Sequence, residues 1–140
     1  MRDLAEKLAE ASFAGEFIAL FGGLGAGKTA FVKGFCAHFG ITEVSSPTFN
    51  IVKHYDGGGA AIDHFDCYRL DDEDELLAMG FEEYLYAGSI VLMEWSENVL
   101  GALPEGRLEL HLNGSGDEPR EAELISFGDE YDALIEGITL

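Results

Sequence analysis

The densest chemistry in the sequence lies in Gly22, Gly23, Leu24, Gly25, Ala26, Gly27, Lys28 and Thr29, a glycine, four residues, then Gly-Lys-Thr, with Ala30 next in line. This spacing suits a phosphate cradle. Glycines let backbone N–H groups close around anionic oxygens, and a helix that starts at Lys28 adds the positive end of its dipole. Lys28 is expected to reach the terminal phosphates and Thr29 to ligate magnesium. The plainer alternative is a glycine-rich turn with a solvated lysine. Context argues against it, because the segment sits between an apolar run and a helical pattern. Guanine specificity in many such proteins uses Asn-Lys-x-Asp, yet Asn50, Asn98 and Asn113 are followed by Ile, Val and Gly. ATP is therefore the expected nucleotide.

A magnesium site of this kind needs an acid at the end of a neighbouring apolar strand. Glu94, which closes Ile90-Val91-Leu92-Met93, fits that position. His64 and Asp66 share one face of an alternating stretch, with Asp63 and Phe65 on the other. As a metal signal His64-x-Asp66 is weak, and a structural histidine beside a surface aspartate explains it equally well. Near a phosphate loop, Asp66 becomes a candidate magnesium ligand or water-orienting group. Ser46 and Thr48 flank Pro47 after the first long helix, where nucleotide-responsive loops place hydroxyls. Trp95, the sole tryptophan, is expected to pack, or to cover the nucleotide from beside Glu94.

The surrounding patterns supply the elements that would position these groups. Asp3–Ser12 has helical spacing of Leu4, Leu8 and Ala11. Phe17–Phe21 is a continuous apolar run suited to a strand buried on both faces. A helix is expected from Lys28 to about Phe39, closed by Gly40. A strand from Phe49 to Tyr55, a turn at Asp56–Gly59 and a strand over Ala60–Tyr68 then make a hairpin. Asp71–Glu75 are placed to cap a short helix, followed by a second over Phe81–Gly88. Ser89–Met93, Arg107–Asn113 and Arg120–Phe127 read as further strands, and Asp129–Ile138 as a closing helix. Residues 1–140 thus read as a single α/β domain, a mixed parallel and antiparallel sheet with flanking helices.

Composition narrows the partners. The 140 residues carry a formal net charge of −19, with 8 basic against 27 acidic side chains. Arg2, Lys7, Lys28 and Lys33 balance Asp3, Glu6, Glu10 and Glu16, so the entire excess follows Ile41. Clustered basic residues for nucleic acid or anionic lipid are lacking, so neither direct RNA or DNA binding nor membrane association is expected. No run approaches the roughly 18–20 apolar residues of a membrane span, and the charged N-terminal stretch lacks a signal peptide's apolar core. A cytoplasmic location is the expectation. Cys36 and Cys67 form no CxxC pair and read as buried small side chains.

In order and spacing, GGLGAGKTAFVKGF, SPTFNIVKHY, HFDCYRL, DEDELLAMGFEEYL and VLMEWSENV resemble the TsaE family, bacterial P-loop ATPases of tRNA threonylcarbamoyladenosine biosynthesis. The resemblance runs from about Phe17 to Arg120. It implies a P-loop domain that binds ATP and magnesium and acts on a complex of TsaB with the catalytic subunit TsaD. It places the family's phosphate loop on Gly22–Thr29, its functional aspartate on Asp66, its Walker-B-type glutamate on Glu94 and the adjoining tryptophan on Trp95. Its switch-like hydroxyls fall on Ser46 and Thr48. Lys28, Glu94 and Asp66 are then the expected catalytic set. One departure is visible: Gly23 stands where the family commonly has Asp, which bears on hydrolysis more than on phosphate cradling.

Two other classes share the P-loop. A small-molecule kinase normally closes an arginine-bearing lid over the transferred phosphate, whereas Arg69, Arg107 and Arg120 are scattered. A non-catalytic module would use ATP only to fold or dock. With no arginine finger evident, slow turnover alone and faster turnover with partners are expected.

Overall fold

The computed structural model describes residues 2–23, 26–47, 50–114 and 121–138. Leu24, Gly25, Thr48, Phe49 and Arg120 lie outside the described residues. The elements run α1 (Arg2–Glu10), β1 (Phe17–Phe21), α2 (Lys28–His38), β2 (Val52–Gly57), β3 (Ala60–Asp66), α3 (Glu73–Ala78), α4 (Phe81–Tyr86), β4 (Ile90–Glu94), β5 (Arg107–Asn113), β6 (Glu121–Phe127) and α5 (Asp129–Gly137). The six strands form one sheet in the order β2-β3-β4-β1-β5-β6. β3, β4, β1 and β5 are mutually parallel, while β2 and β6 are antiparallel edges. This is the mixed α/β sheet with flanking helices expected from the sequence.

The central strands β1 and β4 are buried at every position, as their uninterrupted apolar runs require. Alternation sends Ile18, Leu20 and Leu92 to one side, where they meet Phe31, Val32 and Phe35 of α2 and Leu8 of α1. Phe17, Ala19, Val91 and Met93 go to the other, against Leu76 of α3, Phe81 of α4 and Val99. α1 lies close on α2 because Gly34 lacks a side chain, and a Cβ there would come 3.0 Å from that of Ala5. Both cysteines are buried free thiols, and burial pushes each up to about 12, which leaves them unreactive packing groups. Among the described residues, no helix is long and apolar enough to cross a membrane.

Most boundaries move by one to three residues from the sequence reading, and three of the shifts have a visible backbone cause. β2 starts at Val52 rather than Phe49, because Ile51 takes φ +67°, a left-handed value that no extended strand can contain. The hairpin turn shrinks to Gly58 and Gly59, both at positive φ, so the strands pair out to Gly57 and Ala60. β3 stops at Asp66, whose carboxylate accepts the Tyr68 N–H at 3.0 Å and bends the chain. The segment after β4 also holds a kinked 3₁₀ turn, Ser96–Ala102, where the sequence patterns predict no element.

Candidate functional site

The site lies at the C-terminal ends of β1, β3 and β4, facing the start of α2. β1 delivers the chain into the glycine-rich segment. Gly22 has φ +151°, and a Cβ there would stand 2.6 Å from the Leu112 carbonyl oxygen, so only glycine fits against β5. Gly27, at φ +105°, forms the N-cap of α2 and makes no side-chain cap. Among the described residues, α2 alone of the five α-helices has no acid in its first turn. α3 shows the contrast, with Asp72 accepting the Glu75 N–H and three acids following. The N–H groups and dipole at the start of α2 are thus left for an external anion.

A cavity of about 390 Å³ opens here, lined by Gly23, Ala26, Gly27, Lys28, Thr29 and Ala30 together with Ser46, Asp66, Glu94 and Trp95. Every described candidate from the sequence except Gly22 and His64 therefore borders one space. Gly22 joins through its backbone, since its carbonyl oxygen accepts a hydrogen bond from Lys28 Nζ. Leu24, Gly25 and Thr48 lie outside the described residues.

Lys28 is 5% exposed, and its ammonium lies 3.4 Å from the centroid of the Trp95 ring. Burial pushes its pKa below the ordinary lysine value, opposed by the charges of Glu97, Glu94 and Asp66. Trp95 reaches this position from an unusual backbone. Its φ of +60° reverses the chain after β4, a conformation that costs a bulky residue roughly 1–3 kcal/mol. Ser96 Oγ bonding to the Met93 carbonyl oxygen at 2.9 Å and the Asn98 N–H bonding to that of Trp95 at 3.1 Å hold the reversal.

Glu94 is 3% exposed, and its two oxygens have different neighbours. Oε1 lies 3.5 Å from Thr29 Oγ1, and Oε2 lies 2.6 Å from His64 Nε2. Both oxygens of Asp66 are also engaged. Ser46 Oγ donates to Oδ2 at 2.8 Å and the Tyr68 N–H to Oδ1. Ser46, in the loop after α2, is thereby tied to the end of β3. Thr29, Glu94 and Asp66 supply hard oxygen donors on one wall, the donor set magnesium prefers.

Three groups at the site escaped the sequence reading as site residues. His64 was left between a structural and a metal role, and the register of β3 on β4 assigns it to Glu94 instead. Tyr68 lines the cavity, with its ring centroid 4.9 Å from that of Trp95. Glu97 Oε2 accepts the Gly22 N–H at 3.3 Å. The signal available was only nearness in sequence, Tyr68 two residues after Asp66 and Glu97 three after Glu94.

Residues 1–122 match the sequence model of a family described as threonylcarbamoyl adenosine biosynthesis protein TsaE. A Bacillus subtilis protein named tRNA threonylcarbamoyladenosine biosynthesis protein TsaE is 41% identical over 126 residues, covering 89% of this chain and 78% of its own. A protein of the same name from Haemophilus influenzae is 43% identical over 108 residues, covering 76% and 68%. The crystal structure of Bacillus subtilis YdiB superposes with a TM-score of 0.84 at 32% identity, covering 98% of this chain and 85% of that one.

Proposed function

Since this chain belongs to the TsaE family, we propose that it acts in tRNA threonylcarbamoyladenosine biosynthesis as a magnesium-dependent ATPase serving the TsaB–TsaD complex. The observation that carries this reading is the convergence of Lys28, Thr29, Asp66 and Glu94 on one cavity at an uncapped helix N-terminus. Lys28 and the first N–H groups of α2 bind the β- and γ-phosphate oxygens, and on binding Lys28 exchanges the Gly22 carbonyl and the Trp95 ring for phosphate. Thr29, Glu94 and Asp66 are the residues that would hold magnesium. Bound there, magnesium supplies charge neutralisation of the phosphates in phosphoryl transfer. Three carboxylates, Glu94, Asp66 and Glu97, act on Lys28, so a nucleotide polyanion entering without a divalent cation meets net repulsion. Glu94 orients the attacking water, and Ser46 on Asp66 keeps the loop after α2 against the site. Acceleration comes from positioning and electrostatics rather than covalent chemistry.

The test is phosphate release from ATP, with and without purified TsaB and TsaD, and with a panel of nucleoside acceptors. Stimulation by the partners is the expected result. Phosphate transfer to an acceptor would replace this reading with a kinase, and no release under any condition would leave a binding module. The acidic surface predicts that the chain alone does not bind tRNA at physiological salt.

Gly23 bears on rate. A Cβ there meets no atom within 4 Å, so a side chain can start from this position without displacing a neighbour. Gly23→Asp is expected to leave the melting temperature within about 3 °C and to raise partner-stimulated turnover by roughly 3- to 10-fold through better water orientation. Steady-state phosphate release checks it, and an unchanged or lower rate counts against a water-orienting role at this position.

A further inference from the structure

His64 is wholly buried, and its ring lies directly behind Glu94. It stands on β3 opposite Leu92 of β4, while Asp66 stands opposite Glu94. His64 and Glu94 are thus diagonal neighbours on one face of two parallel strands, within reach for a ring and a long carboxylate. The 2.6 Å Nε2–Oε2 distance marks a short, charge-assisted bond. The other ring nitrogen, Nδ1, is buried with no hydrogen-bond partner. A proton on Nδ1 would have no acceptor, whereas a bare lone pair there is the cheaper orphan. The arrangement therefore selects the tautomer with its hydrogen on Nε2, which donates to Glu94.

We infer that His64 is a positioning residue. Its Nε2–H holds Oε2 of Glu94 on the inner side, which leaves Oε1 as the oxygen presented to Thr29 and the cavity. An unheld glutamate must freeze its side-chain torsions when it engages metal or water. With His64 in place, that ordering is complete on folding. Oriented carboxylates and their partners set metal affinity, and loss of such a partner typically weakens it by about 10- to 100-fold. This inference rests on the magnesium-dependent ATPase reading.

The test compares His64→Gln, whose amide retains a donor near the Nε2 position, with His64→Met, which has the same length and no donor. ADP binding to the full chain is measured by calorimetry in EDTA and across a magnesium series. With Met, the magnesium concentration for half-saturation should rise by about 10-fold or more, while ADP affinity in EDTA stays within about 2-fold. With Gln, it should return to within about 3-fold of wild type. A Gln variant as impaired as Met, or a Met variant equal to wild type, overturns the inference while the ATPase reading stands. A wild-type chain that binds ADP no better with magnesium than in EDTA overturns that reading, and this inference with it. Should the Met variant fail to fold, ¹⁵N spectra of the wild-type chain decide: Nε2 must show the pyrrole-type shift and Nδ1 the pyridine-type shift, and the opposite tautomer overturns the assignment.

Discussion

Lys28→Ala will reduce partner-stimulated phosphate release by at least about 100-fold while the chain stays folded. Lys28 is the only cation lining the cavity among the described residues, and it faces three carboxylates. Removing it leaves the phosphates with backbone N–H groups and the metal that Thr29, Glu94 and Asp66 would hold, in a field made by Glu94, Asp66 and Glu97. Loss of one well-placed electrostatic contact to the reacting group typically costs 10²–10³ in rate. Stability should change little, by about 1 kcal/mol, because burial disfavours the charged ammonium and its present contacts are only a carbonyl and a ring face. Lys28→Arg should not rescue, since the broader forked guanidinium must fit between Gly22 and Trp95 where a compact ammonium now sits. Phosphate release with the partner complex, beside a thermal melt, checks both variants. Activity within threefold of wild type for Lys28→Ala would overturn the assignment of the site.

Glu16→Gln is expected to flatten the pH dependence of stability. Glu16 is completely buried before β1, and desolvation pushes its pKa from 4.5 to about 8, only partly offset by the Phe13 N–H it accepts at 3.3 Å. Its second oxygen has no partner. A carboxyl raised in the folded state binds its proton more tightly there than in the unfolded chain. Its stabilising contribution is complete below about pH 4.5 and is lost progressively as pH rises through 8. Glutamine cannot ionise and removes that slope. The stability difference between variant and wild type should therefore shift in the variant's favour by about 3–4 kcal/mol between pH 5 and 8. Urea unfolding at several pH values measures it, and parallel pH profiles for the two proteins would show that Glu16 is not the buried acid responsible. The nearby Tyr131 hydroxyl, which accepts the Phe17 N–H at 2.8 Å, is pushed up to about 12 and stays protonated across this window.

Much of this site was legible because its logic is local. The phosphate loop depends on residue types at fixed spacing, and the strand before it announces itself as five apolar residues in a row. Period-two alternation likewise separated Asp66 from Phe65 correctly. What sequence could not supply was register. His64 meets Glu94 only because β3 lies on β4 with Asp66 opposite Glu94, and no local pattern encodes an alignment between strands 30 positions apart. Backbone reversals were equally hidden. Neither Ile51 nor Trp95 has the residue type that predicts a left-handed φ, so the late start of β2 and the return of the chain over Lys28 are tertiary outcomes. The Ser46 contact to Asp66 belongs to the same class, since a loop hydroxyl and a strand-end carboxylate are brought together only by the folded sheet.

The position of Trp95 also gives the molecule a built-in optical gauge. It is the chain's sole tryptophan, so red-edge excitation samples one ring, and that ring is in contact with the ammonium of the phosphate-loop lysine. Any ligand that draws Lys28 away changes the charge at the indole face, and with it the emission maximum and yield. Site occupancy should therefore be readable as a colour change in the unlabelled protein, in real time, and in the presence of partners whose own tryptophans have been replaced.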